Sequence, residues 1–343
     1  PRDFDYRVQP ADDNMAVATA FSPAGNVPDK VNALIPYNDD ILIFGCDHSI
    51  FQMSGNPAMG GRIDMMSDVT GMAWGRAWCK DAQGAVYFFG SRGGVYKMVP
   101  GRIPSKVTTT SIDERLATID QKANVIRMAW NDREEGVHLF VSPTDWTQAS
   151  DHYFFDARMG AWWIDKFETT GTVGTQADTA YVHNTMSPHV FDGDDPDDRV
   201  LLLGGRDGAI YKWDISSKDD YNGVTAVKID SHVFMGPLSK ADGSKVVLTE
   251  LLGILAANSD NVDYDVYVGK TAEEIISAIG TADEDKYKRW SDGEFVAGRD
   301  RVDRRRAVAG DIFLKLRNYS LSENWALEKI VATLGAAGGR TNR

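Results

Sequence analysis

The amino-acid sequence predicts a mainly all-β fold: a propeller-like repeat of four-stranded blades, then a C-terminal antiparallel β-sandwich with one short helix. Three observations predict it. A strand-turn-strand signature recurs through the first two thirds of the chain, and its spacing is that of a four-stranded sheet. The last third then changes to alternating strands that lack the signature.

Residues 1–30 are expected to form an extended N-terminal segment and 31–228 the propeller-like domain. The signature appears as "FGCDHSIFQMS" from Phe44, "FGSRGGVYKMV" from Phe89 and "GGRDGAIYKWD" from Gly204. Aligned without gaps, Gly45, Gly90 and Gly205 coincide, as do Ile50, Val95 and Ile210, the aromatics Phe51, Tyr96 and Tyr211, and then Met53, Met98 and Trp213. Each glycine closes an apolar run, and the following turn is rich in residues that tolerate tight backbone, so each copy reads as a β-hairpin. A degenerate copy, "FFDARMGAWWID", puts Asp156 at the glycine and Trp162 at the aromatic position; successive copies are 45, 66 and 49 residues apart. The segments between copies supply the remaining strands, with "KDAQG" and "NDREEG" as turns. One such sheet cannot bury both of its faces, and stacking sheets around an axis does.

Residues 229–335 are expected to form the sandwich and 336–343 a flexible tail. In "NVDYDVYVG", Val262, Tyr264, Val266 and Val268 share one face of a half-buried strand. Thr271 and Glu274 form a capping box for a short helix that Gly280 ends. "AVAGDIFLKLRN" places Ile312, Leu314 and Leu316 inward and Lys315 and Arg317 outward. "NWALEKIVATLG" reads as a last strand, with Ala326, Glu328, Ile330 and Ala332 of one parity and Trp325, Leu327, Lys329, Val331 and Thr333 of the other.

A net charge of -13 argues against a general nucleic-acid binder, which needs clustered Lys and Arg, although it permits a wall along which DNA slides. No apolar run approaches the roughly 18 residues of a membrane helix, so no membrane span is expected, and "PRDFDYRVQP" lacks the apolar core of a signal peptide. Cys46 and Cys79 are too few for a disulfide framework and read as buried thiols.

No catalytic, metal or cofactor constellation emerges, and no cofactor is expected. The six histidines, His48, His138, His152, His183, His189 and His232, are scattered without an HExxH spacing, and His183 and His189 share a loop. "DGDDPDD" is dense in carboxylates, but Pro196 occupies an EF-hand ligand position and no closing Glu follows, so it reads as a solvated acidic loop. "GGRDG" and "GSRGG" lead into strands, which leaves no helix N-terminus for a phosphate. The hairpin turns lack the S-x-D-x-G-x-[TS]-W pattern of sialidase-type propellers, and no GxSxG elbow is present. "GRDRVDRRRAVAG" packs Arg299, Arg301, Arg304, Arg305 and Arg306 into eight positions, interleaved with Asp300 and Asp303. Its alternatives are a solvated edge and an arginine-rich contact to an acidic partner surface or a phosphate backbone.

The stretches "PRDFDY", "ALIPYNDDILIFGCDHSIFQMSGNP", "GRAWCKDAQGAVYFFGSRGGVYKM" and "RVDRRRAVAGDIFLKLRN", with "NWALEKI", resemble structural proteins of tailed bacteriophages, in particular the propeller-containing nozzle or hub proteins of short-tailed phages. The resemblance implies a non-enzymatic virion protein of the tail, a homo-oligomeric ring of six copies that forms or closes the DNA channel. It also implies earlier blades ahead of "PRDFDY". Other tail, adaptor or portal proteins are then the expected partners, and DNA passes without sequence-specific binding. On this reading Asp192, Asp194, Asp195, Asp197 and Asp198 are candidate channel-lining acids, and Arg299, Arg301, Arg304, Arg305 and Arg306 candidate interface arginines. The alternative function is a propeller glycosidase or glycan-binding protein acting on a host-surface polysaccharide. It draws on Trp74, Trp78, Trp130, Trp146, Trp162, Trp163 and Trp213, which otherwise serve blade packing. A cellular propeller scaffold that binds proteins is a third reading.

Overall fold

A computed structural model describes residues 25–56, 60–108, 110–144, 150–165, 185–195, 198–205, 209–221, 226–239 and 244–336. The chain is mainly β and divides into two compact units, 1–215 and 216–343.

The first unit is a series of antiparallel sheets in which neighbouring strands follow each other in the chain. Blade 1 comprises β1 (Val31–Asn38), β2 (Ile41–Cys46), β3 (Ile50–Ser54) and β4 (Arg62–Ser67). Blade 2 comprises β5 (Trp78–Lys80), β6 (Val86–Phe89), β7 (Val95–Met98) and β8 (Ser105–Lys106). After helix α1 (Thr110–Ala117), blade 3 comprises β9 (Asn124–Asn131), β10 (Gly136–Pro143), β11 (Asp151–Asp156) and β12 (Ala161–Asp165). The described residues of blade 4 give β13 (Thr185–Phe191), β14 (Val200–Gly205) and β15 (Ile210–Lys212).

The full-strength copies of the signature form the second and third strands of blades 1, 2 and 4. The degenerate copy lies one strand later, between β11 and β12, with Asp156 paired to Ala161. That offset accounts for the long interval before it. The repeat glycines answer to close packing: a Cβ on Gly45 would lie 2.3 Å from Met72 Sδ, and one on Gly90 would lie 2.6 Å from the Tyr96 ring. The left-handed backbone of "SRGG" falls instead on Gly93 and Gly94, at φ +86° and +80°.

Alternation within each strand lets a blade serve two cores. Val86 and Phe88 of β6 pack with Ile35, Ile43 and Ile50 of blade 1, while Tyr87 and Phe89 pack with Val137, Leu139 and Val141 of β10. The other face of β10 sends Phe140 against Leu201 and Leu203 of blade 4. Helix α1, which the sequence analysis did not anticipate, closes the core between blades 2 and 3 with Ile112 and Leu116. Those two residues, four apart, are too short a periodic signal to read as a helix.

The second unit opens with the hairpin β16 (Asp219–Tyr221) and β17 (Ala226–Lys228), followed by β18 (Ser231–Leu238), β19 (Val246–Leu255) and β20 (Val262–Gly269). Helices α2 (Ala272–Ala278) and α3 (Glu284–Tyr287) precede β21 (Lys288–Phe295), β22 (Arg299–Ala309), β23 (Asp311–Asn318) and β24 (Leu327–Ala336). The sheets β18-β23-β20-β21 and β22-β19-β24 enclose one core. Val262, Tyr264 and Val266 from β20 and Ile312, Leu314 and Leu316 from β23 are buried in it, with the alternation that the sequence predicts. Thr271 caps α2 through Glu274 N–H, and Glu274 reaches back to Lys270 N–H, while Gly280 follows at φ +73°.

Candidate functional site

Blade 1 has one covered face and one face built like an inter-blade surface on which the described residues place no second blade core. Its covered side carries Ile35, Ile43 and Ile50. On the opposite parity, strand pairing aligns Leu34, Phe44, Phe51 and Met65 in one row and Pro36, Leu42, Met53 and Ile63 in the next. Every position in both rows is apolar, which is the construction of a buried sheet face. Phe51 is buried, but the ends of its row are open: Leu34 is 54% and Met65 58% exposed. Gly25, where the described chain begins, packs on Ile63 in the second row.

The turn between the first and second strands repeats a different chemistry in each blade. It carries Asp39 and Asp40 in blade 1, Asp81 in blade 2, Asp132, Glu134 and Glu135 in blade 3, and Asp192, Asp194, Asp195 and Asp198 in blade 4. These turns are neighbours. The Lys80 ammonium donates to Pro36 O and Tyr37 O, and Lys80, Asp81, Trp130, Asp132, Val190 and Arg199 line one small cavity. The result is an acidic rim at one end of the blades, partly compensated by Lys97 on Asp81 and by Arg199, which pairs with Asp132 and lies 3.9 Å from Asp192.

The predicted acidic loop is therefore a turn inside blade 4 and does not connect two blades. Asp192, Asp194, Asp195 and Asp198 belong to this rim, and Asp197 lies outside the described residues. Asp198 N–H donates to Asp195 O, folding the turn on itself. The arginine-rich segment is β22, an edge strand of its three-stranded sheet, paired with β19. Arg299 and Arg301 pair with Ile254 and Leu252, while Arg304, Arg305 and Arg306 fall in a bulge, since Asp303 pairs with Glu250 and Ala307 with Leu248.

Two histidines that look unrelated in sequence meet between blades 3 and 4. Cross-strand pairs His138–Phe154 and Phe140–His152 put both imidazoles on the face toward Trp213. Both rings are fully buried. Glu134 accepts from Asn131 Nδ2 at 2.6 Å and Trp213 Nε1 at 2.9 Å, and its Oε2 is 2.9 Å from His138 Nε2. A carboxylate only accepts, so the Glu134 bond takes a proton on His138 Nε2, while His138 Nδ1 and His152 Nε2 share a hydrogen bond at 3.0 Å and the Asp165 carboxylate lies 3.4 Å from His152 Nδ1. Burial, and then the neighbouring His138, push the His152 pKa well below its ordinary value, which keeps the ring neutral. Burial raises the Glu134 pKa, but the hydrogen bond and charge of His138 and the bonds from Trp213 and Asn131 more than reverse it. This network orients packed rings and holds the two blades in register. His189 of the proposed histidine loop is exposed on β13, and His183 lies outside the described residues.

Asp29, Asp47 and His48 bring three possible metal-ligand atoms within 4.8 Å of one another. The Asp29 carboxylate is already committed to Ser49 Oγ and to the N–H groups of His48 and Lys30, and these bonds, led by Ser49, hold its pKa at about 2. This cluster clasps the β2–β3 turn. Both cysteines are buried, as the sequence suggests, and burial raises the Cys46 thiol to about 11. Of the tryptophans, Trp78, Trp130, Trp162 and Trp213 pack against inter-blade cores, Trp163 and Trp74 are exposed, and Trp146 lies outside the described residues. In comparisons with known proteins, no family model matches the chain and no curated protein matches it significantly.

Proposed function

We propose that the chain is a non-enzymatic structural subunit of a phage tail, of the nozzle, hub or head-to-tail connector kind, which assembles into a ring that forms or closes the DNA channel. Six copies are the favoured number. The observation that supports assembly is the outward face of blade 1, whose open row ends at Leu34 and Met65 call for a further packed surface. In a ring a neighbouring copy supplies that surface; in a longer chain a preceding blade supplies it, and the assembly state separates the two. The acidic rim supports the channel: carboxylates in the same turn of every blade repel a phosphate backbone and let DNA pass without sticking.

The test is the native mass and symmetry of the chain, by electron microscopy and native mass spectrometry. A closed ring with a central hole is the expected result. A protein that stays monomeric at high concentration overturns the reading.

A further inference from the structure

The segment between blades 1 and 2 holds an indole that packing does not use. Trp74 is 70% exposed, and it borders a cavity of about 150 Å³ shared with Gln121, Lys122, Asn124 and Arg127 at the start of blade 3. Gly75, at φ +83°, turns the chain between Trp74 and Arg76. A Cβ built on Gly75 would lie 3.3 Å from Arg127 Nη1, so the guanidinium reaches this turn. Arg76 lies over the Trp78 ring at 6.0 Å.

The charges here are unusual for so acidic a chain. Among the described residues neither Arg76 nor Arg127 has a carboxylate at ion-pair distance. Burial, and then the charge of Arg76, lower the Arg127 pKa, which marks two like charges held near each other. The nearby Asp120 carboxylate accepts from the Lys122 backbone N–H. Arg127 spends one donor on Ile126 O, and Gln121 donates its amide to Gly90 O and Ser91 O, which leaves the remaining guanidinium donors and the Gln121 carbonyl oxygen.

We infer that this cavity binds one anionic sugar residue of a glycan, with its C–H face on Trp74 and its carboxylate or sulfate on Arg127 and Arg76. An exposed indole offers the flat apolar surface that a pyranose ring covers, and a guanidinium pairs with planar or tetrahedral oxyanions through two N–H groups. The cavity's size suits a single ring. Nucleic acid is the less suitable ligand: a strand needs a track of cations and several stacking rings, whereas the described residues here supply one open indole, Arg76, Arg127 and Lys122 in a chain of net charge -13. The inference does not rest on the tail-ring reading, because ring formation and sugar binding are measured separately.

Calorimetric titration of the full chain tests it, with a hyaluronan hexasaccharide, a galacturonate hexamer, a heparin-derived hexasaccharide, maltohexaose and a thymidine hexanucleotide as probes. At least one of the three anionic oligosaccharides is expected to bind saturably, about tenfold or more tighter than maltohexaose, and to weaken as salt rises. Trp74→Ala and Arg76→Gln should each weaken that binding by about tenfold while leaving the thermal midpoint unchanged, since both side chains are exposed. Three results overturn the proposal: no binding of any anionic oligosaccharide, wild-type binding by Trp74→Ala, or a hexanucleotide that binds more tightly than every oligosaccharide. The uronates and the heparin fragment distinguish a carboxylate from a sulfate as the recognised group.

Discussion

His152 shows how one residue can tie stability to pH. Its ring is buried neutral in the folded chain, while in the unfolded chain it takes a proton below about pH 6.5. The folded pKa is the lower one, so stability is full above that value and falls as the pH drops below it. Urea unfolding between pH 8 and 5 should show this loss, ahead of the window in which carboxylates titrate. His152→Gln should flatten it, and should cost about 1–3 kcal/mol at neutral pH through the broken bond to His138. An equally steep pH profile in the variant would mean that another group is responsible. Glycines provide a second residue-scale contrast. A Cβ on Gly71 would lie 2.1 Å from Cys46 O and 2.4 Å from Asp47 O, which are backbone atoms, whereas on Gly45 it meets side-chain atoms of the buried Met72. Gly71→Ala should therefore destabilise by about 3 kcal/mol or more and Gly45→Ala by about 1–2 kcal/mol, read from chemical denaturation.

At the scale of elements, α2 and α3 are fixed on their sheet by a half-buried clasp. Tyr267 OH on β20 donates to Glu284 Oε1 at 2.5 Å, the Lys315 ammonium on β23 lies 3.3 Å from the same oxygen, and Gly280 N–H donates to Glu284 Oε2. Burial raises the Glu284 pKa, but the bonds from Tyr267, Gly280 and Lys315 outweigh it and bring the group to about 2. Glu284 thus stabilises the folded chain at neutral pH, and that contribution is lost as pH falls from its ordinary value near 4.5 toward 2. Glu284→Gln should lower stability at pH 7 by about 1–3 kcal/mol and make little difference at pH 2, as followed by circular dichroism. Equal destabilisation at both pH values would show that shape, and not charge, is what Glu284 contributes.

One strand irregularity explains what alternation by itself obscures. In β24 Lys329 pairs with Ile254 and Leu327 with Leu255, which skips Glu328. Parity switches there, so Trp325 and Leu327 reach the core from one register and Ile330, Ala332 and Leu334 from the other. Neither of the two parities read from the sequence was wholly apolar for this reason. The strand itself was legible; its bulge was not, because an extra residue in a strand leaves no compositional mark.

For the whole molecule, the ring reading turns on the outward face of blade 1. Leu34→Asp and Met65→Lys put charge at the open ends of its row and leave the core pair Ile35–Ile43 and the outward pair Phe44–Phe51 intact. Each single variant should dissociate the ring into protomers and change protomer stability by only about 0.5 kcal/mol, as read by native mass spectrometry and denaturation together. A ring that persists in both variants would move the contact elsewhere on the chain. The acidic rim likewise exists only at this scale, since Asp40, Asp81, Asp132 and Asp192 are each ordinary turn residues in sequence.

The sequence by itself determined the mainly β class, the hairpins that carry the repeated signature, the alternation of β20 and β23 and the cap of α2, because these depend on residues close along the chain: turn chemistry, alternation and capping. Tertiary structure alone decided which face of each strand meets which neighbour. It paired His138 with His152, set Arg127 beside Trp74 and Arg76, and brought the first turns of four blades to one end. Those relations join residues from different strands or blades, and their geometry follows from sheet stacking, for which no local residue pattern is required.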